Sequence, residues 1–165
     1  MKKLLIPTIV AAFSMTVFAQ DAAKTADEAA KPEAAGACKV VIEGNDAMKY
    51  NLDKFTINKT ECPEFTVELN HVGKLPAAAM GHNVVITKKE DMDGVAKDGI
   101  AAGAAHNYIK EGDERVIAHT KLIGGGEKAE VTFSTKDLAA GGDYEFFCSY
   151  PGHYAMMKGQ VEVTE

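Results

Sequence analysis

From Cys38 to its end the chain falls into short runs bounded by Gly, Asn and Pro: KVVIE, FTINK, EFTVELN, HNVVITK, RVIAHT, AEVTFST, DYEFFC and GQVEVTE. Several alternate apolar and polar residues, as Phe65-Val67-Leu69 and Val161-Val163 do, which is the period of a strand with one face buried. About eight such strands with these breaks predict an all-β fold, an eight-stranded Greek-key β-sandwich. One insertion, KKEDMDGVAKDGIAAGAAHNYI, breaks the rhythm. Its Ala, Lys and Met, with acidic residues early, suit one short helix around residues 88–102, interrupted by glycines. A length of 165 residues, 46% hydrophobic and 25% charged, is that of one soluble globular domain.

The first nineteen residues read differently. Lys2 and Lys3 precede an uncharged apolar run that ends in Val17-Phe18-Ala19, the pattern of a secretory signal peptide over 1–19. The run is short for a membrane span, and the lack of a cysteine at the cleavage site argues against a lipoprotein. Residues 20–37, QDAAKTADEAAKPEAAGA, are Ala-rich and charged and cannot bury a core, so they read as a linker or tail ahead of a domain spanning 38–165. Loss of Lys2 and Lys3 takes the formal charge from −6 to −8. That acidity argues against nucleic acid or an anionic membrane as partner.

A secreted chain with three cysteines is expected to pair two and leave one for another task. The stretch CSYPGHYAMMKG, Cys148 to Gly159, sets a thiol, an imidazole and two thioethers within twelve residues. Cys148 ends the strand YEFFC. A four-residue turn separates it from His153, and Met157 follows as the next strand begins. Thiolate and thioether select soft metals, and imidazole suits copper. Cysteine, two histidines and a weak axial methionine make an electron-transfer copper site. The second imidazole is expected from His82 in MGHNVVITK, where Gly81 leaves room for its carbonyl to approach a metal and Asn83 can hydrogen-bond a distant loop.

The segments CKVVIEGNDAM, ELNHVGKLPAAAMGHNVVI, DMDGVAKDG, RVIAHTKLIGGGEK and FFCSYPGHYAMMKG, with the Cys-x4-His-x3-Met spacing and the separate Gly-His-Asn, resemble the azurins, which are bacterial cupredoxins. The resemblance runs from about Cys38 to the C-terminus. It implies a periplasmic one-electron carrier with one type 1 copper ion held by His82, Cys148 and His153, with Met157 and the Gly81 carbonyl as long axial contacts. It also implies a Cys38–Cys62 disulfide, which leaves Cys148 as the odd thiol. Met48, Leu75, Met80, Met92, Tyr150, Pro151, Gly152 and Ala155 match positions around the exposed edge of the C-terminal copper histidine, where a redox partner docks. Cytochromes c or a copper nitrite reductase are the partners implied, with a monomer as the working form and no small-molecule substrate.

Other readings stand beside this one. Met156 competes with Met157 for the axial place, although spacing favours Met157. His71 is either a hydrogen-bonded core histidine or a group that couples pH to redox potential, and His106 and His119 read as surface or strand residues. Tyr150, where a Phe is commoner, is expected to adjust the polarity around the Cys148 sulfur. Val84 stands where many azurins have Trp, which leaves a cavity unless Phe146 and Ile42 repack. A copper storage or delivery protein would use the same soft ligands, yet the tail lacks the Met and His clusters such a role favours. An enzyme is not expected, because Cys148 and His153 flank a tight turn with no orienting acid. Five histidines in all hardly suffice for a multicopper oxidase.

Overall fold

Alternation along the strands sorts this chain into two faces. In β4 (Glu64–His71), Phe65, Val67, Leu69 and His71 are buried while the residues between them are half-buried. The computed structural model describes residues 36–165; the 1–19 signal peptide and all but the last two residues of the 20–37 tail lie outside the described residues. One sheet has the order β2-β1-β4-β7, built from β2 (Lys49–Tyr50), β1 (Lys39–Asn45), β4 and β7 (Lys128–Ser134). The other has the order β3-β9-β8-β5-β6, built from β3 (Lys54–Asn58), β9 (Lys158–Thr164), β8 (Tyr144–Phe147), β5 (Val85–Lys88) and β6 (Val116–His119). Both are mixed: β1 runs parallel to β4 and β3 parallel to β9, and the remaining pairs are antiparallel. Each of the eight expected runs forms one strand. The ninth, β2, is a two-residue strand too short to show a period.

Ile42, Val67, Leu69, Val84, Ile86 and Phe146 are among the residues filling the core. Val84 is fully buried there with Ile42 and Phe146. Phe146 lies between the rings of Tyr50 and Phe55, at centroid distances of 5.6 and 5.2 Å. Phe55 stacks on Phe65, which meets Phe133 edge-on. Burying each such ring contributes roughly 1.5–3 kcal/mol.

The run Val84-Val85-Ile86 does not alternate because the second sheet is covered on both faces here. Val84 and Ile86 join the main core, whereas Val85 and Phe147 pack in a second cluster with Met92, Val95 and Ala96 of helix α2 (Met92–Ala102). Met92, Val95, Ala96 and Gly99 recur at helical spacing on its buried stripe. The helix is continuous through Gly94 and Gly99. At Gly99 a side chain would collide with the Tyr108 carbonyl, so the glycine serves close packing and not a break. Met92 therefore corrects an expectation: at 6% exposure it belongs to this interior and cannot contribute to an exposed docking patch.

A disulfide joins Cys38, just before β1, to Cys62 in the β3–β4 connection, with Cα atoms 5.3 Å apart. Closing a loop of this length contributes about 3–4 kcal/mol in the chain-entropy model. Cys148 is the free, buried thiol.

Candidate metal centre

The loop from Cys148 to Met157 is folded on its own backbone. The Cys148 N–H donates to the Met157 carbonyl at 3.0 Å, His153 N–H to the Tyr150 carbonyl at 3.0 Å, and Met157 N–H to the His153 carbonyl at 2.8 Å. Pro151 and Gly152 occupy the centre of the His153–Tyr150 turn. Gly152 has φ +84°, a conformation that a side chain would strain. These bonds turn Cys148, His153 and Met157 inward, where they are 0%, 3% and 0% exposed, and leave Met156 outside at 57%.

His82 arrives from the stretch preceding β5, held by a two-way bridge to Ile123. The Cys148 sulfur lies 3.9 Å from His82 Nδ1 and 3.7 Å from His153 Nδ1, and the three donor atoms lie within 4.8 Å of one another. Three donors bonded to one ion at about 2.0–2.3 Å in a trigonal plane stand about 3.8 Å from sulfur to nitrogen. Both the spacing and the mixed thiol and imidazole donors fit one soft or borderline ion. Across the donors, the Gly81 carbonyl is 3.8 Å from the sulfur.

Electrostatics favour neutral imidazoles. Burial lowers the pKa of His153 to about 4, with the neighbouring His82 and His71 adding to the effect. Burial also lowers His82, partly opposed by its bond to the Asn45 carbonyl. That bond, 2.9 Å from His82 Nε2, fixes the tautomer that leaves Nδ1 free to face the sulfur. Burial pushes the Cys148 thiol up to about 11, although the backbone N–H groups of Asn83 and Tyr150 and the Tyr50 hydroxyl favour its thiolate. A cation bound there must displace the thiol proton.

The surrounding groups hold this arrangement. Asn83 is fully buried, gives its amide hydrogens to the Asn107 carbonyl and Ser149 Oγ, both at 2.8 Å, and accepts from Ser149 N–H at 2.9 Å. It thus ties the His82 segment to the ligand loop. His71 stacks on His82 with ring centroids 4.3 Å apart. Its Nδ1 accepts from Gly73 N–H at 3.1 Å and its Nε2–H donates to the Met80 carbonyl at 2.7 Å, so both ring nitrogens are partnered in one neutral tautomer. At Gly81 a side chain would meet the Ala77 carbonyl at 2.6 Å. Packing against α1 (Ala77–Met80) is thus a constraint on that glycine beyond an approach to metal. The Tyr150 hydroxyl bonds the Ala78 carbonyl at 2.7 Å, away from the sulfur, while its ring lies 4.5 Å from His153. Its hydroxyl therefore clamps the ligand loop to α1, and the part of Tyr150 that favours the sulfur's thiolate is its backbone N–H.

Sequence reasoning missed Gly44, Asn45 and Tyr50. A side chain at Gly44 would come within 2.8 Å of the His82 ring. The one advance signal for Tyr50 is that a buried phenol needs a partner. His106 is exposed, and His119 is half-buried in β6.

The expected patch residues other than Met92 sit on linked loops. Asp46 accepts from Lys74 and Leu75 N–H, joining the turn that carries Met48 to the approach to α1, and Tyr150 joins α1 to the ligand loop. Leu75, Pro151, Gly152 and Ala155 are exposed, and Met48, Met80 and Tyr150 are half-buried. The expected exposed edge of His153 is small, at 3% of the residue's surface.

A β-sandwich with a buried His-Cys-His centre of this spacing defines a cupredoxin type of protein, a class the comparisons then narrow. Residues 36–164 match the family model described as copper binding proteins, plastocyanin/azurin family. The chain is 58% identical to an azurin of Alcaligenes faecalis over 77% of its own length and 98% of the relative's. It is 54% identical to an azurin of Achromobacter denitrificans over 82% and 91%. An azurin structure from Methylomonas sp. strain J superposes with TM-score 0.75 at 42% identity, covering 79% of this chain and all of the other. The chain belongs to the plastocyanin/azurin family of copper-binding proteins, within its azurin group. Its function is that of an electron carrier with a type 1 copper centre, for which His82, Cys148 and His153 are suited to a single ion.

Proposed function

We propose that this protein is a periplasmic one-electron carrier in which His82, Cys148 and His153 would hold the copper, with Met157 and the Gly81 carbonyl as further contacts. The observation that carries this reading is the convergence of one buried thiol and two Nδ1 atoms at 3.7–3.9 Å from the sulfur. When bound, copper supplies a one-electron Cu(I)/Cu(II) couple. The chain's own part is to keep its donors still and dry. Asn83 and the loop's backbone bonds fix the donors before metal arrives, so little has to move when charge changes. Burial of all three side chains excludes water. No substrate needs to enter, and electrons pass between this protein and other redox proteins.

The 1–19 segment supports export to the periplasm, and the 38–165 domain does the carrying. Partners of the cytochrome c or copper nitrite reductase kind suit a small apolar contact around His153, since such a contact separates quickly. The working form is a monomer. The docking surface comprises Met48, Leu75, Met80, Tyr150, Pro151, Gly152 and Ala155. Met80→Lys sets a desolvation cost on that surface without touching a donor atom. We expect it to slow electron exchange with a partner about tenfold while the absorption spectrum stays unchanged, as stopped-flow mixing would measure. An unchanged rate would remove Met80 from the surface.

The test of the whole reading is an absorption spectrum with Cu(II), followed through ascorbate reduction and reoxidation. An intense blue band that bleaches and returns is expected. A colourless protein with copper bound would replace the carrier by a storage or delivery role, and a colourless protein holding zinc would call for metal exchange before judgement.

A further inference from the structure

We propose that the Tyr150 hydroxyl is the latch of the metal entrance: its bond to the Ala78 carbonyl holds shut the loop that carries His153, and so sets how fast an ion enters and leaves the buried donors. The inference rests on His82, Cys148 and His153 being the metal ligands.

An ion reaches these donors only if part of the protein moves, since His82, Cys148 and Met157 are fully buried and His153 nearly so. His82 cannot give way without breaking its two bonds to Ile123 and the bond from its ring to the Asn45 carbonyl. Cys148 follows directly on β8. His153 sits instead in a loop whose outer residues, Pro151, Gly152, Ala155 and Met156, are all exposed. Among the described residues, the hydrogen bonds of 150–156 stay within the stretch from Cys148 to Met157, with one exception. That exception is the Tyr150 hydroxyl, which donates to the Ala78 carbonyl at 2.7 Å. Tyr154 adds packing on the α2 side, a contact without direction.

The far end of the bond is firm. The stretch carrying α1 is held on both sides, by Gly125 N–H on the Leu75 carbonyl at 2.8 Å and by His71 Nε2–H on the Met80 carbonyl at 2.7 Å. Gly124 packs so closely that a side chain there would meet the Ala77 nitrogen at 2.6 Å. The near end bears on a ligand, because the Tyr150 ring lies 4.5 Å from the His153 ring and meets Tyr108 edge-on at 5.3 Å. Moving the phenol off Ala78 uncovers His153. Ser149, bonded to Asn83 through both its N–H and its hydroxyl, is the hinge. The latch touches no donor atom and is closed in the metal-free fold. A bond made equally with and without metal changes entry and exit alike and leaves their ratio, the affinity, in place.

Tyr150→Phe keeps the ring and removes the donor. Loss of one intramolecular hydrogen bond should make local opening about fivefold more frequent. In the metal-free protein, diethyl pyrocarbonate should then modify His153 about fivefold faster relative to the exposed His106, while the buried His71 keeps its rate. Cu(II) uptake, followed by stopped-flow at the blue band, and release to excess EDTA should both quicken by the same factor, with affinity and band position unchanged. Tyr150→Leu, which also uncovers His153, should quicken all three further and keeps the test open if the Phe variant fails to fold. Site-specific 4-aminophenylalanine, an N–H donor of the same reach, should restore the wild-type rates. Unchanged rates would overturn the proposal. Faster release with unchanged uptake would overturn it as well, since that is lost affinity and marks a group that positions donors. So would an equal gain at His71, which is a loosened fold. A wild-type protein that takes up no Cu(II) would instead overturn the ligand assignment, while modification of His153 still reads the latch.

Discussion

Cys148→Ser is expected to abolish the blue band entirely and with it rapid electron exchange. The band depends on charge transfer from a thiolate, and the Cys148 sulfur is the one donor in the cluster that is not an imidazole nitrogen. A serine hydroxyl is a harder ligand that stays protonated, so copper bound by His82 and His153 would be left with weak ligand-field colour. The cost to the fold is smaller. The residue is fully buried and a hydroxyl there would be incompletely partnered, at roughly 1–3 kcal/mol. Absorbance normalised to measured copper content separates loss of colour from loss of metal. A variant that keeps its blue band with full copper would take Cys148 off the metal.

The second large effect is expected at Asn83, in the protein without metal. Asn83→Leu preserves side-chain size and removes two donated bonds and one accepted bond. The Ser149 N–H and Oγ both lie in a fully buried residue, so their losses are not made good by solvent. At about 1–3 kcal/mol for a buried group left unpartnered, with the Ser149 hydroxyl and the Asn107 carbonyl still bonded to each other at 3.4 Å, denaturant unfolding should register a loss of roughly 2–4 kcal/mol. Ser149→Ala removes only the hydroxyl and should cost about 1 kcal/mol. If Asn83→Leu stayed within about 1 kcal/mol of the wild type, water would have to be filling the gap.

Both effects concern a site whose donors, and Asn83 among its supports, were legible in the chain, while the partners of those supports were not. The spacing of Cys148, His153 and Met157 is short enough for one loop to bring them together, and that spacing is visible in sequence. His82 was readable only through its Gly-His-Asn setting and the azurin resemblance, since nothing in a single chain says which of its distant histidines meets the loop. The contacts on Asn45, Asn107, Ala78 and Tyr50 escaped for a related reason. Backbone carbonyls are present at every residue, and only the packing of two sheets decides which of them a buried side chain meets. Met92 shows the converse failure. A methionine at a position matched to a docking surface lies on the inner stripe of α2, because the helix buries its i, i+3, i+4 and i+7 residues whatever their chemistry.

Local order in the chain determined the strands, the helix near residues 88–102, the ligand loop and the soft-metal character of its donors. These depend on neighbours within a few residues: period-two alternation, a Pro-Gly turn, and a thiol and imidazole a few bonds apart. Tertiary structure decided that β1 and β4 run parallel, that His82 stacks on His71 and turns Nδ1 toward Cys148, and that the Tyr50 hydroxyl from one sheet meets the Asn83 carbonyl beside the other. Those outcomes join residues 11 to 66 positions apart, and no local preference of the backbone reaches that far. They are settled by which buried polar groups can all be satisfied at once within one close-packed interior.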